Sequence, residues 1–309
     1  MSSRVINAVS SIPPATLSVI ASCSLVFLFQ LLADPPLHHY TLCPRLAIHL
    51  NEYYRFVTSA IFHGGFMHIF FNMMSLAGIG SLLEKQFGTL MFTFTVLWGV
   101  LLTSAVYTLC AILLHITFGI ETLMYQHSVG FSGVIFQLSV LEANLNPNSA
   151  RSVFGFFRVP AYLYPWALLI AIQFILPQVS FVGHLSGIFV GTLQLYGVLE
   201  IIIPTDPYLK VMEEWRCLRL LTSSVSFVRT PDGSDAGAHS RHPGELRTAL
   251  LRSVQILWKF IRDVLVTLSV IVFGRGRSNE NIQLVTANED EWAGLPPPPP
   301  GNCAESATV

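Results

Sequence analysis

The chain has 309 residues, 52% of them apolar and 11% charged, with a formal net charge of −1. A soluble domain carries roughly 25% charged residues, so this composition excludes a water-soluble globule as the main body and points to a bilayer. Basic residues are too few and too scattered for a nucleic-acid surface, and no phosphate-cradling glycine loop is present.

A membrane-crossing helix needs about 20 predominantly apolar residues, and six stretches before residue 205 qualify. They predict helices over Pro14 to Leu32, Ala60 to Leu83, Leu90 to Phe118, His127 to Leu145, Val159 to Leu176 and Phe181 to Ile203. The first follows Arg4, but its apolar run is longer than the roughly 15 residues of a secretory signal and no small-x-small cleavage site follows, which reads as a retained signal anchor. In the fifth, Pro160, Pro165 and Pro177 are expected to weaken the helix and make it a mobile wall.

Of the 17 Lys and Arg, eleven lie beyond residue 204. That shift divides the chain into a short cytosolic segment, 1–13, a membrane-embedded domain, 14–204, and a water-facing tail, 205–309. Within the tail, Leu246 to Phe273 is apolar but broken by Arg247, Arg252, Lys259, Arg262 and Asp263. This pattern fits an interfacial amphipathic helix better than a seventh span, which would bury those charges. The end of the tail, with its run Pro296 to Pro300, reads as disordered and of polyproline character, a spacer or a ligand for cytosolic SH3 or WW modules.

Arg4, Lys85, Arg151, Arg158 and the basic tail fall on one face if six spans alternate, so the positive-inside rule puts both termini in the cytosol. Arg45 and Arg55 fall on the other face and call for a structural role there. In this arrangement the second, fourth and sixth spans all run inward from the outer face, and His68, Asn72, Ser132 and His184 lie in their first parts. Polar groups at membrane depth are costly and normally face a protein interior or a water-filled cavity. A hydroxyl and an imidazole at matched depth are the parts of a nucleophile activated by a general base. Read singly, Ser132 could be a packing serine and Asn72 a bridge between two helices.

The pattern Tyr54-Arg55, His63, His68-x-x-x-Asn72, Glu84, Gly88, Gly130-x-Ser132-Gly133 and Gly183-His184-x-x-Gly187-x-x-x-Gly191 resembles the rhomboid intramembrane serine proteases, most of all the short six-span forms of the endoplasmic reticulum. The resemblance covers residues 14–204 and implies an all-α bundle of six transmembrane helices with a cytosolic tail. It implies Ser132 as nucleophile and His184 as base, a dyad with no acidic third member. His68, Asn72 and the backbone amide of Ser132 would bind the oxyanion. His63 and Arg55 would order the outer loop, and Glu84 near Gly88 the inner turn between the second and third spans. Phe136 stands where the family often has a tyrosine stacked beneath the histidine. Gly130 and Gly133 flank the serine, and Gly183, Gly187 and Gly191 form a stripe that lets backbones approach closely.

The expected substrates are single-pass membrane proteins, admitted laterally between the second and fifth spans past aromatics such as Trp166 and Phe174. Membrane lipid and cytosolic partners of the proline-rich tail are further expected partners. Cofactors and metals are not expected, since His63 and His68 lack further ligands at tetrahedral spacing. Cys43 is the one cysteine of five expected on an oxidising face, so no disulfide can form there. The rival readings are an inactive relative that binds membrane clients for degradation or trafficking, and a transporter. Relatives of the first kind lack site residues that are present here. A transporter would need ionisable residues along a path through spans three to five, where few occur.

Overall fold

A computed structural model describes residues 12–147 and 149–232. Helix α1 (Pro14–Ala33) opens on a proline, whose missing N–H costs nothing in a first turn, and ends at Asp34 in the left-handed conformation. A loop holding two short helices, α2 (Pro44–His49) and α3 (Arg55–Ile61), leads to α4 (Phe66–Phe87). Gly88 turns the chain directly into α5 (Thr89–Phe118), and the one-turn α6 (Thr122–Tyr125) precedes α7 (Ser132–Leu145). An antiparallel hairpin follows, β1 (Ala150–Val153) with β2 (Phe157–Pro160), in the register Arg151↔Val159. Helices α8 (Tyr164–Ile175) and α9 (Phe181–Leu195) complete the bundle, and α10 (Asp206–Glu213) and α11 (Arg219–Thr222) come after it.

Helices α1, α4 and α5 are long and apolar enough to cross a membrane by length and composition. The other three are shorter than their apolar stretches suggest. At 14, 12 and 15 residues, α7, α8 and α9 rise about 21, 18 and 22 Å against a hydrocarbon core of about 30 Å. Local causes are visible at each end. Gly130, at φ +113°, keeps residues before Ser132 out of the helix; residues 150–160 form the hairpin; and Gly197, at φ +74°, ends α9 before the 3₁₀ turn Val198–Ile201. Helix α4 begins at Phe66 rather than Ala60, because residues 55–61 form the separate α3. The prolines of the fifth apolar stretch bound its helix instead of weakening it: Pro160 closes β2, Pro165 sits in the first turn of α8, and Pro177 lies beyond its end.

Helix α7 occupies the middle of the bundle. Every residue from Val134 to Ala143 is buried, the polar Gln137 and Ser139 included, as expected of a helix surrounded by others. Leu76 and Leu83 of α4, Phe92 and Val96 of α5, and Leu138 and Leu141 of α7 form the main core. Glu142 also faces inward and is paired with Arg151 of the hairpin.

Opposite the end at which α7 begins, one carboxylate joins three helices. Glu84 of α4 accepts from the backbone N–H groups of Ala15 (2.9 Å) and Thr16 (2.7 Å), the Thr16 hydroxyl (2.8 Å) and the Thr89 hydroxyl (2.9 Å). It therefore satisfies the free amides at the start of α1 as well as tying the Gly88 turn, and a negative group at a helix N-terminus is also favourable electrostatically. The segment after Pro204, grouped with the tail from composition, folds back onto this end. Thr89 N–H donates to the Val228 carbonyl (2.8 Å), the Val228 N–H donates to the Thr89 hydroxyl (3.1 Å), and Glu213 accepts from the amide and hydroxyl of Thr230, both at 2.7 Å. Residues 1–11, the expected amphipathic helix at 246–273 and the proline run at 296–300 lie outside the described residues.

A chain ended after residue 204 loses the bonds that Val228 makes to Thr89. At about 0.5–1.5 kcal/mol each, these should make it less stable in detergent by roughly 1–3 kcal/mol than a chain ended after residue 232. Thermal unfolding of the two in the same micelle measures this, and equal midpoints would show that the strap adds nothing.

Candidate active site

Ser132 is the first residue of α7, and the strand-like stretch before it is fixed from outside. Leu42 and Ser128 exchange backbone hydrogen bonds of 2.8 and 2.9 Å, and Gly130 N–H donates to the Ser59 carbonyl (2.7 Å). Gly130 is required twice over. Its φ of +113° is open chiefly to glycine, and a Cβ there would lie 2.5 Å from the His68 imidazole.

His184 lies in the first turns of α9, which Ser180 caps by accepting from Gly183 N–H (3.1 Å). Helices α7 and α9 are in backbone contact. A Cβ at Gly187 would overlap the Gly133 carbonyl oxygen, and one at Gly191 would lie 2.7 Å from the Gln137 carbonyl oxygen. This approach puts His184 Nε2 2.9 Å from Ser132 Oγ. Phe136, one turn below the serine, stacks on the imidazole with ring centroids 4.6 Å apart and planes 28° apart. His184 Nδ1 has no hydrogen-bond partner among the described residues, so the ring is oriented by packing rather than by a carboxylate. Of the other two glycines, Gly183 packs near Ser180, whereas a Cβ at Gly133 would make ordinary contacts of 3.5 Å and more.

His68 and Asn72 of α4 both face Gly130: a Cβ built there would approach His68 Nε2 to 2.5 Å and Asn72 Nδ2 to 3.4 Å. Gly64 N–H donates to His68 Nδ1 (3.4 Å), which leaves the proton on Nε2 and makes that atom a donor towards the site. Asn72 is buried, and its Nδ2 has no partner among the described residues. His63 sits just ahead of α4, edge-on to His68 with centroids 5.3 Å apart. Its Nδ1 is 3.2 Å from the Ile61 carbonyl, and its backbone is clamped by Gln30, which donates to its carbonyl (2.8 Å) and accepts from its N–H (3.1 Å).

The buried Arg55 orders the outer loop by donating to Glu52 (2.5 Å) and to the His38 and Thr41 carbonyls (both 2.7 Å). Desolvation, and then His39 and Arg55, hold the His38 imidazole below its ordinary pKa, which favours its neutral form beside the guanidinium. Thr41 in turn meets His127 Nδ1 at 2.5 Å. A cavity of about 60 Å³ opens over the serine, lined by Ser132, His184, His68, Tyr107, His127 and Ser180 among others, with room for a few waters or a small side chain. Sequence reasoning singled out neither Gln30, His127 nor Ser180. Their partners are 33, 86 and three residues away, and only the serine three residues before a helix glycine carried a local signal. Among the described residues no group of His, Cys, Asp or Glu is arranged to hold a metal ion.

A model of the Rhomboid domain matches residues 50–201, the part that holds α4 through α9 with His68, Asn72, Ser132, Phe136 and His184. The chain belongs to the rhomboid family. It is 34% identical over 226 residues to Rhomboid-like protein 15 of Arabidopsis thaliana, covering 72% of this chain and 54% of that one. It is 36% identical over 200 residues to Rhomboid-related protein 4 of Rattus norvegicus (62% and 60%), and 29% identical over 174 residues to Rhomboid-type serine protease B of Aspergillus fumigatus (54% and 59%). The chain thus spans about half to three-fifths of the length of these curated relatives.

The stripe geometry separates two glycines that look alike in sequence. Gly187→Ala should push this rhomboid's α9 off α7 and cost about 1–3 kcal/mol of stability through overpacking, while Gly133→Ala should cost well under 1 kcal/mol. Unfolding of both variants in detergent checks this; equal losses would refute the close-contact account.

Proposed function

We propose that this rhomboid is an intramembrane serine protease that hydrolyses peptide bonds in or near the membrane segment of single-pass membrane proteins. The observation that carries the reading is the 2.9 Å contact between Ser132 Oγ and His184 Nε2, with Phe136 stacked behind the imidazole. The Aspergillus relative is named a serine protease, which raises the same expectation for this chain. An inactive, client-binding rhomboid is the rival reading. Nothing would require such a protein to keep a hydroxyl and an imidazole in hydrogen-bond contact, with an imidazole and an amide gathered at Gly130 two residues before the serine.

The proposed chemistry follows from the positions. His184 Nε2 takes the proton of Ser132 Oγ as that oxygen bonds to the scissile carbonyl carbon. The negative charge that develops on the carbonyl oxygen is met by His68 Nε2–H, Asn72 Nδ2–H and the Ser132 amide, donors held in place before the reaction. On collapse the carbon–nitrogen bond breaks and the amine leaves with the proton from His184. Water then attacks the acyl-serine, again giving its proton to His184, and frees the carboxylic acid and the serine.

Helices α4 and α8, the expected flanks of lateral access, both carry exposed aromatics: Phe66, Phe70 and Phe71 on the first, Trp166 and Phe174 on the second. Such rings suit a lipid-facing boundary that a substrate helix could cross. Six spans with both termini in the cytosol, supported by the placement of basic residues, complete the proposal, together with an endoplasmic-reticulum or other secretory-pathway membrane from the family resemblance and cytosolic partners for the run Pro296 to Pro300.

Ser132→Ala and His184→Ala should each abolish cleavage of a co-expressed single-pass reporter in a folded protein. Asn72→Ala should slow turnover about ten- to a thousandfold, the effect of losing one oxyanion donor worth roughly 1.4–4 kcal/mol. Cleavage at the parent rate by the serine or histidine variant would end the protease reading, and unchanged turnover in the asparagine variant would leave Asn72 a packing residue. Topology is tested separately with a glycosylation acceptor engineered near residue 302, which should remain unmodified in microsomes; its glycosylation would put the tail in the lumen.

A further inference from the structure

Below the dyad, three polar side chains meet in the middle of the bundle. Gln137 of α7 is fully buried, and its Nε2 donates to Gln194 Oε1 of α9 (2.9 Å) and lies 3.4 Å from the Thr95 carbonyl of α5. Gln194 Nε2 donates in turn to the Thr95 hydroxyl (3.0 Å). The buried amide is accommodated by a deliberate gap: a Cβ at Gly99 of α5 would overlap Gln137 Oε1. Two amides and a hydroxyl in so apolar a bundle are expensive unless bonded to one another, and their bonds have direction, which the surrounding aliphatic contacts lack.

The positions of these groups tie them to the chemistry. Gln137 adjoins Phe136, the ring beneath His184, and lies five residues after Ser132. Its own carbonyl oxygen is the atom that Gly191 approaches, so the amide clamp and the glycine contact hold the same stretch of α7 against α9. Glycine stripes allow two helices to touch but resist sliding and rotation only weakly, because they present a smooth surface. A hydrogen bond from α7 to α9, braced on α5, resists both. A slip or turn of α7 by about 1 Å would be enough to spoil the alignment of a nucleophile with its base.

We infer that Gln137, with Gln194 and Thr95, is a positioning group for the proposed hydrolysis: it sets the register and rotation of the serine helix against the histidine helix. This rests on the protease reading above. It touches neither substrate nor reacting atoms, and acts through the Ser132–His184 alignment.

The test is the time course of Ser132 labelling by a fluorophosphonate probe in the full-length detergent-solubilised protein, with kcat and KM measured on the reporter. Gln137→Met and Gln194→Met keep side-chain length and remove the bonds. Each should lower the labelling rate and kcat about tenfold or more, with KM and the final extent of labelling unchanged. The double variant should be no slower than the worse single one, and Gln194→Glu, which keeps the acceptor for Gln137, should recover most of the rate. Labelling and kcat at the parent values in the Met variants would overturn the positioning role alone, as would a reduced final extent at an unchanged rate, the mark of lost folding. A parent protein that does not label at all would overturn the protease reading and this role together.

Discussion

Helix α9 lies so close to α7 that one methyl group at Gly187 would overlap the Gly133 carbonyl oxygen, and the rest of the site depends on that approach. An imidazole reaches only a few ångströms from its backbone. For His184 to meet Ser132 at 2.9 Å, from a turn that also leaves room for the Phe136 ring beneath it, the two helices must touch through glycine. In lipid there is no hydrophobic drive to bring helices together, so close van der Waals packing and directed polar bonds take its place. The glycine stripe supplies the first and the Gln137–Gln194 bond the second.

Around this pair the molecule is pinned at both ends by polar groups that bind backbone as well as one another. At the end where α7 begins, Arg55 holds the His38 and Thr41 carbonyls, Gln30 clamps the His63 backbone, and Ser59 accepts from Gly130 just ahead of the serine. At the other end Glu84 gathers the first amides of α1 and the Thr89 hydroxyl, and Thr89 passes the connection on to Val228. Each of these groups satisfies amides or carbonyls that would otherwise be unpaired in a poorly hydrated setting. The stretch from residue 205 to 232 is therefore part of the same body as the helices it follows, although its composition resembles that of the tail.

The parts of this arrangement that follow a local rule were legible in the sequence. Ser132, His184, His68 and Asn72 fall at matched positions in alternate apolar stretches, and the structure brings them to one small volume. The ends of the shorter helices were not legible. Val153, Phe154, Phe156 and Phe157 are as apolar as any helix residue, so hydropathy does not distinguish the hairpin from the start of a span. Gly130 reads as a packing glycine, while its left-handed φ and its contact with His68 exist only in the folded chain. Glu84 was recognisable as structural, but its partners at Ala15 and Thr16 are 69 and 68 residues away, and Val228 is 139 residues from Thr89. No periodicity carries contacts of that range. Gln137 and Gln194 likewise look like stray polar residues until their helices are placed side by side.

The central claim is that Ser132 is a nucleophile activated by His184. Mass spectrometry of the protein after exposure to a fluorophosphonate tests it most directly, with the adduct located to a residue and followed as pH is raised. The account expects one adduct, on Ser132, formed in the parent and lost in His184→Ala while a Ser139 control, a buried serine on the same helix bonded to the Phe136 carbonyl, stays unmodified. Failure of the parent to react, or equal labelling in the presence and absence of His184, would contradict it.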